Sequence, residues 1–79
     1  MDLQQIVELI ARHTKEVIPG LDRHTFRATD ALKDLGANSL DRSEIVIMTL
    51  ESLSLRVPLV ELAGARNIGE LAQVLHAKL

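Results

Sequence analysis

Hydrophobic residues recur every three or four positions in the first part of the chain, and again in its middle and last parts. In the first part this spacing predicts a helix over residues 2–17, which Pro19 and Gly20 end. Its predicted apolar stripe consists of Leu3, Ile6, Val7, Ile10, Thr14, Val17 and Ile18. Such a stripe indicates a helix that covers a hydrophobic core with one face.

The middle part predicts a second helix that begins at Ser39. Asn38 is a favoured N-cap residue, and Asp41 lies where its carboxylate is close to unpaired backbone N–H groups and to the positive end of the helix dipole. Residues 54–58 end this helix, because Pro58 cannot continue it. The inward stripe is predicted to be Leu40, Val46, Ile47, Leu50 and Leu53, and the outward carboxylates to be Asp41, Glu44 and Glu51.

The last part predicts two further helices. The first is short, covers residues 61–65 and ends near Gly64, and the second is capped by Asn67, with Glu70 at the third position of a capping box. The buried stripe of the last helix is predicted to be Ile68, Leu71, Ala72, Leu75 and Leu79. Because no alternating strand pattern or internal repeat competes, the predicted fold class is all-α: a four-helix bundle with a short helix 3.

A long segment of weak periodicity, residues 21–37, separates the first two helices. Thr29 and Asp30 are predicted to cap a short helical turn within it. Loops of this length in compact domains are uncommon and are often functional, so its position before Ser39 predicts that it helps to present this serine. Its predicted anchors to the core are Phe26, Ala31, Leu32 and Leu35.

The composition limits the classes of protein to which the chain can belong. With 79 residues, of which 47% are hydrophobic, residues 1–79 are expected to form one domain around one core. The chain has no cysteine, no basic leader and no apolar run of membrane length, so we expect a cytoplasmic protein without a membrane partner. A net charge of −2 with scattered basic residues argues against nucleic-acid binding. Three histidines, expected at the surface, are too scattered for a metal site: His13, His24 and His76.

Ser39 is the candidate functional residue. A hydroxyl at the first turn of a helix lies beside free backbone N–H groups, which favour an attached phosphate. Its neighbours Asn38 and Leu40 cannot take a proton, and the surrounding residues do not form the G-x-S-x-G turn of a hydrolase. We therefore expect a modified serine in a protein that is not an enzyme. The alternative is a serine that serves only as a helix-start residue.

Residues 35–45, with the sequence LGANSLDRSEI, resemble the L-G-x-D-S-L-D-x-x-E-L signature of acyl carrier proteins. The chain length and the order of its segments resemble that family from end to end. The resemblance implies that a phosphopantetheinyl transferase attaches the 4′-phosphopantetheine of coenzyme A to Ser39, and that acyl groups are carried on its thiol as thioesters. It also implies a partner-binding face, which we predict to include Asn38, Leu40, Asp41, Arg42, Glu44, Ile45 and Met48.

Two positions depart from the general signature. Asn38 stands where aspartate is usual, and Arg42 adds a positive charge to the second helix. Together with residues 57–71, these positions resemble freestanding donor carriers of polyketide β-branching cassettes. That resemblance implies an acetyl or related short acyl group, loaded by an acyltransferase or decarboxylase and presented to an HMG-CoA-synthase-like enzyme.

The sequence also leaves other functions open. The chain could be a carrier for another polyketide, fatty-acid or peptide synthesis step, or a helical interaction domain in which Ser39 stays unmodified. A helix-turn-helix DNA-binding protein is disfavoured, because its recognition helix would bear Asp41, Glu44 and Glu51, which DNA phosphates repel. The sequence has no signal for a stable oligomer, so we expect a monomer.

Overall fold

The computed structural model describes residues 1–79 and is helical throughout, without β-strands. Its elements are α1 (Leu3–Val17), α2 (Ser39–Leu53), the 3-10 helix η1 (Leu59–Leu62) and α3 (Ile68–Ala77). The all-α prediction is confirmed, but the predicted count of four helices is not. Residues 61–65, predicted as helix 3, do not form an α-helix. A single 3-10 turn covers Leu59–Leu62 instead, and its backbone bonds span three residues, as between the N–H of Glu61 and the carbonyl of Pro58 at 3.0 Å.

Side chains at the helix starts explain where α1 and α3 begin. Asp2 accepts from the N–H of Gln5 at 2.8 Å, and the Gln5 side chain accepts from the N–H of Asp2 at 3.0 Å, so α1 has a capping box. Asn67 caps α3 as predicted, by accepting from the N–H of Glu70 at 2.8 Å. The predicted capping box is wrong, because the Glu70 carboxylate accepts from the N–H of Arg66 at 3.0 Å instead of from that of Asn67.

The core lies where α1 packs against both α2 and α3. The residues with no exposed surface are mostly aliphatic, and they include Ile6, Ile10, Ile45, Ile68, Ala72 and Leu75. Four residues of the predicted stripes are exposed instead, namely Leu3, Leu40, Ile47 and Leu79. Leu3 is the first residue of α1, and Leu79 follows the end of α3. Leu40 and Ile47 are seven residues apart and therefore share the side of α2 that faces away from α1.

One polar contact joins α1 to α2. His13 is buried, and its Nε2 lies 2.9 Å from the Ser52 hydroxyl, while its Nδ1 lies 3.4 Å from the Glu16 carboxylate. The expectation that His13 is a surface residue is therefore wrong: its ring stands on the inner side of α1, one turn from the buried Ile10. No three His, Asp or Glu side chains are close enough to hold a metal ion. None of the helices is both long and apolar enough to cross a membrane.

The long loop is fastened to the start of α3 by its backbone. The N–H groups of Ile68 and Gly69 donate to the carbonyls of Asp30 at 2.9 Å and Ala28 at 2.8 Å. These N–H groups belong to the first two residues of α3, which cannot bond them within the helix. A Cβ on Gly69 would lie 2.9 Å from the Cβ of Ala28 and 3.0 Å from its carbonyl oxygen. The loop therefore caps α3, and Gly69 lets the two backbones meet.

The loop also contains local structure that leads to Ser39. The N–H of Ala37 donates to the carbonyl of Leu32 at 3.1 Å across one helical turn, and Gly36 has a φ of +96° at its end. The Asp30 carboxylate closes the preceding turn, since it accepts from the N–H of Arg27 and from His24, both at 2.9 Å. Asp30, which was predicted with Thr29 to cap a short helical turn, thus closes the turn that precedes it. Among the predicted anchors, those that pack on the core are Phe26, Leu32 and Leu35, whereas Ala31 is half-buried.

Candidate functional site

Ser39 is exposed and is the first residue of α2, as predicted. The extended backbone of Asn38 brings the loop to the helix, and its Oδ1 accepts from the N–H of Asp41 at 2.8 Å. The Asp41 carboxylate accepts from the N–H of Asn38 at 3.2 Å, so this pair defines the helix start. The N–H groups of Ser39 and Leu40 come too early in α2 to bond within it. The Ser39 hydroxyl therefore lies at a place that favours a negative charge.

Arg42 lies one turn after Ser39, and its guanidinium is directed back to the helix start. Its Nη1 donates to the carbonyl of Ala37 at 3.0 Å, and its Nη2 donates to the Ser39 hydroxyl at 3.4 Å. None of the ion pairs of the protein includes Arg42. From the sequence, Arg42 was predicted only to contact a partner. Its contact with Ser39 could have been predicted as well, because residues three apart on a helix are neighbours.

An open cleft of about 660 Å³ borders Ser39 and separates α2 from the η1 segment. Its walls are mainly apolar and include Val46, Leu59, Val60, Leu62, Ala63 and Leu71. Three cationic residues also line the cleft, namely Lys33, Arg42 and Arg66. Arg66 is paired with Glu70 at 3.3 Å, and its backbone N–H and then its guanidinium hold the pKa of Glu70 below the usual value. The cleft thus brings apolar side chains and a guanidinium without a carboxylate partner together beside Ser39.

The predicted partner-binding residues do not all reach the surface. Leu40 has 80% of its surface exposed, and Asn38 and Glu44 are exposed as well. Asp41 and Met48 are half-buried. Ile45 is fully buried, so its prediction as a partner contact is wrong. It lies on the side of α2 that faces the core, as its helical neighbour Thr49 also does.

Two exposed residues that were not predicted extend this face across the cleft. Leu59 and Val60 have 42% and 79% of their surfaces exposed, and both belong to η1. Consecutive apolar residues directly after Pro58, in a segment too short for an amphipathic helix, are the sequence signal that could have identified them. With Leu40 they form an interrupted apolar surface around Ser39, which we call the apolar rim.

Comparisons with known proteins give the family of this chain. A family model described as "phosphopantetheine attachment site" matches residues 4–75. The polyketide biosynthesis acyl-carrier-protein AcpK of Bacillus subtilis (strain 168) is 52% identical over 79 residues, which are 100% of this chain and 96% of that protein. A chain from the crystal structure of the curacin biosynthetic pathway HMG synthase in complex with acetyl donor-ACP is 46% identical and superposes with a TM-score of 0.94, over 99% of this chain and 100% of that chain.

These likenesses agree with a bundle whose second helix begins at an exposed serine. They confirm the acyl carrier fold and the prosthetic group, 4′-phosphopantetheine, whose thiol holds acyl groups as thioesters. They also confirm that the protein is a carrier and not an enzyme. The chain belongs to the phosphopantetheine attachment-site family, as an acyl carrier protein.

Proposed function

We propose that residues 1–79 form one carrier domain that bears its arm on Ser39 and donates acetyl, or a related short acyl group, to an HMG-CoA-synthase-like enzyme in polyketide β-branching. The observation that carries this proposal is the likeness, at 46% identity, to a chain solved in the complex of an HMG synthase with its acetyl donor carrier. A relative named for polyketide biosynthesis, 52% identical, supports the same pathway class.

The surroundings of Ser39 support attachment there. Its side chain is exposed at the start of α2, where a phosphodiester would lie beside unbonded N–H groups. Formation of the phosphoester joins the Ser39 oxygen to the phosphorus of phosphopantetheine, breaks the pyrophosphate bond of coenzyme A and releases adenosine 3′,5′-bisphosphate. The step requires a base that takes the Ser39 proton. Arg42 contacts the hydroxyl but cannot accept a proton, since guanidinium groups are donors only. A phosphopantetheinyl transferase therefore supplies the base in our proposal.

The exposed side of α2 is the surface that we assign to this partner. We propose that Leu40 is the central apolar contact and that Asn38, Asp41, Glu44 and Met48 surround it. Leu59 and Val60 of the apolar rim widen the contact across the cleft. Interfaces of this kind combine a small apolar centre with a polar border that sets specificity. In our proposal the same face receives the acyltransferase or decarboxylase that loads the arm, in the cytoplasm.

The test is transfer of acetyl from the loaded protein to the synthase. We expect the acetyl-loaded protein to acylate the cognate synthase, seen as a mass increase of the synthase, and we expect Leu40→Ala to slow transfer at subsaturating carrier without changing stability. Glu8→Ala, an exposed position on α1, is the matched control. The proposal is refuted if a generic acetyl-loaded carrier acylates the synthase readily while this protein does not.

A further inference from the structure

We propose that Arg42 binds the phosphate of the prosthetic arm and holds the base of the arm at the mouth of the cleft. This inference rests on the proposed attachment at Ser39. It assigns to Arg42 a contact within the carrier itself, in place of the predicted contact with a partner.

The guanidinium of Arg42 lies where the phosphate would be attached. Its Nη2 is already 3.4 Å from the Ser39 hydroxyl, the atom that becomes the bridging oxygen of the phosphodiester. The phosphorus would be one bond from that atom, so its free oxygens fall within reach of the same group. The bond from Nη1 to the Ala37 carbonyl, at 3.0 Å, orients the guanidinium without neutralising its charge. Arg42 is therefore placed before the phosphate arrives.

The guanidinium of Arg42 also has no negatively charged partner in the protein. No carboxylate of the protein pairs with Arg42, whereas Arg66 on the same cleft is paired with Glu70. The nearest acidic side chain along the helix, Asp41, is bonded to the N–H of Asn38 in the capping box. A half-buried guanidinium without an anion is an incomplete arrangement, and a phosphodiester supplies an anion that suits guanidinium geometry.

The helix start adds to this site. The unbonded N–H groups of Ser39 and Leu40 lie on the same end of α2 and also favour a negative charge. Arg42 both contacts Ser39 and lines the cleft. A phosphate held by it therefore starts the arm beside the cleft, which limits the directions in which the thioester can point when no partner is bound.

The test compares the apo protein, in which Ser39 is unmodified, with the protein that carries phosphopantetheine on every molecule. Effects of a substitution that are the same in both forms then cancel. Arg42→Leu removes the bond to Ala37 in both states, and in the apo state it also removes the contact with the Ser39 hydroxyl. The difference in Tm between the phosphopantetheinylated and apo forms therefore measures how much stronger the contact with the phosphate is than the contact with the free hydroxyl. We expect this difference to be lower in Arg42→Leu than in the wild type by about 4–8 °C, the shift that one polar contact of ordinary net strength produces in a domain of this size. Arg66→Leu, with the same change in net charge on the same cleft, is the control and should behave like the wild type.

A second measurement uses a variant that keeps the charge. Arg42→Lys should retain part of the difference in Tm, and the ³¹P resonance of its phosphodiester should differ from that of the wild type because the donor geometry changes. Intact mass first establishes one phosphopantetheine increment on each variant. No increment on the wild type would overturn the attachment site and this inference together. Two outcomes, each with the increment present, would overturn the role of Arg42 alone. In the first, all variants have the same difference in Tm and the same ³¹P resonance as the wild type. In the second, the difference in Tm falls equally in Arg42→Leu and Arg66→Leu.

Discussion

Gly69→Ala tests whether the long loop is held by the start of α3. The added Cβ would lie 2.9 Å from the Cβ of Ala28 and 3.0 Å from its carbonyl oxygen. Both are atoms that cannot rotate away, because they are fixed by the backbone. The same carbonyl accepts the N–H of Gly69 at 2.8 Å, so moving Ala28 aside lengthens that hydrogen bond. The substitution therefore forces the loop and the helix apart.

One favourable and two unfavourable effects determine the change in the free energy of unfolding. Alanine in place of glycine within a helix is favourable by about 0.8–1.0 kcal/mol. Overpacking against a fixed neighbour costs about 1–3 kcal/mol, and loss of the hydrogen bond costs about 0.5–1.5 kcal/mol. The unfavourable effects win, and we expect Gly69→Ala to lower the free energy of unfolding by about 1–3 kcal/mol. Domains this small have only about 3–5 kcal/mol in total.

Urea unfolding followed by circular dichroism measures this change. Gly64→Ala is the matched control, since a Cβ there meets nothing within 4 Å and the backbone is not in the left-handed region. We expect the control to stay close to the wild type. Amide exchange should also become faster at Ile68 and at residue 69 in Gly69→Ala. A Gly69→Ala protein as stable as the wild type, with unchanged exchange, would refute the close contact between the loop and α3.

Three further changes have expected outcomes. Ser39→Ala should be as stable as the wild type in urea unfolding, because Asn38 and Asp41 form the cap, but intact mass should show no phosphopantetheine increment. An unfolded Ser39→Ala protein would contradict this. Leu71→Ala, at a buried position, should cost about 2–5 kcal/mol in urea unfolding, and a loss below about 1 kcal/mol would show that the site collapses without a cavity. The N–H of Arg27 and then His24 hold the pKa of Asp30 below 3.8, so its contribution is present above that pH and is lost as the pH falls through the lower pKa of the folded protein. Urea midpoints of Asp30→Asn and the wild type should therefore converge in acid, and a gap that widens there would contradict the assignment.

The sequence predicted the starts of α1, α2 and α3 well, because their causes are local. The cap of α2 joins Asn38 to Asp41, three residues away, and both residues favour such positions by their own chemistry. The exposed serine followed from the same cap. The cap at Asn67 was also correct, but the partner of Glu70 was wrong, since two N–H groups compete for one carboxylate and only the geometry of the preceding turn selects between them.

Burial was predicted less well, because periodicity defines a stripe but not its neighbours. Leu40 was placed both on the stripe and among the partner contacts, and only the packing of α2 against α1 decided that it is exposed while Ile45 is buried. His13 shows the same limit. Its partner Ser52 is 39 residues away in the chain, so no pattern around His13 indicates that it is buried.

The sequence by itself determined the helical class, the starts of α1, α2 and α3, and the serine at the start of α2, because these depend on spacings of three and four residues and on capping chemistry. The tertiary structure decided the rest. It brought Ala28 against Gly69, joined His13 to Ser52, and opened the cleft between α2 and η1 beside Ser39. The physical reason is that these contacts join residues far apart in the chain, and their formation depends on how all the helices share one core.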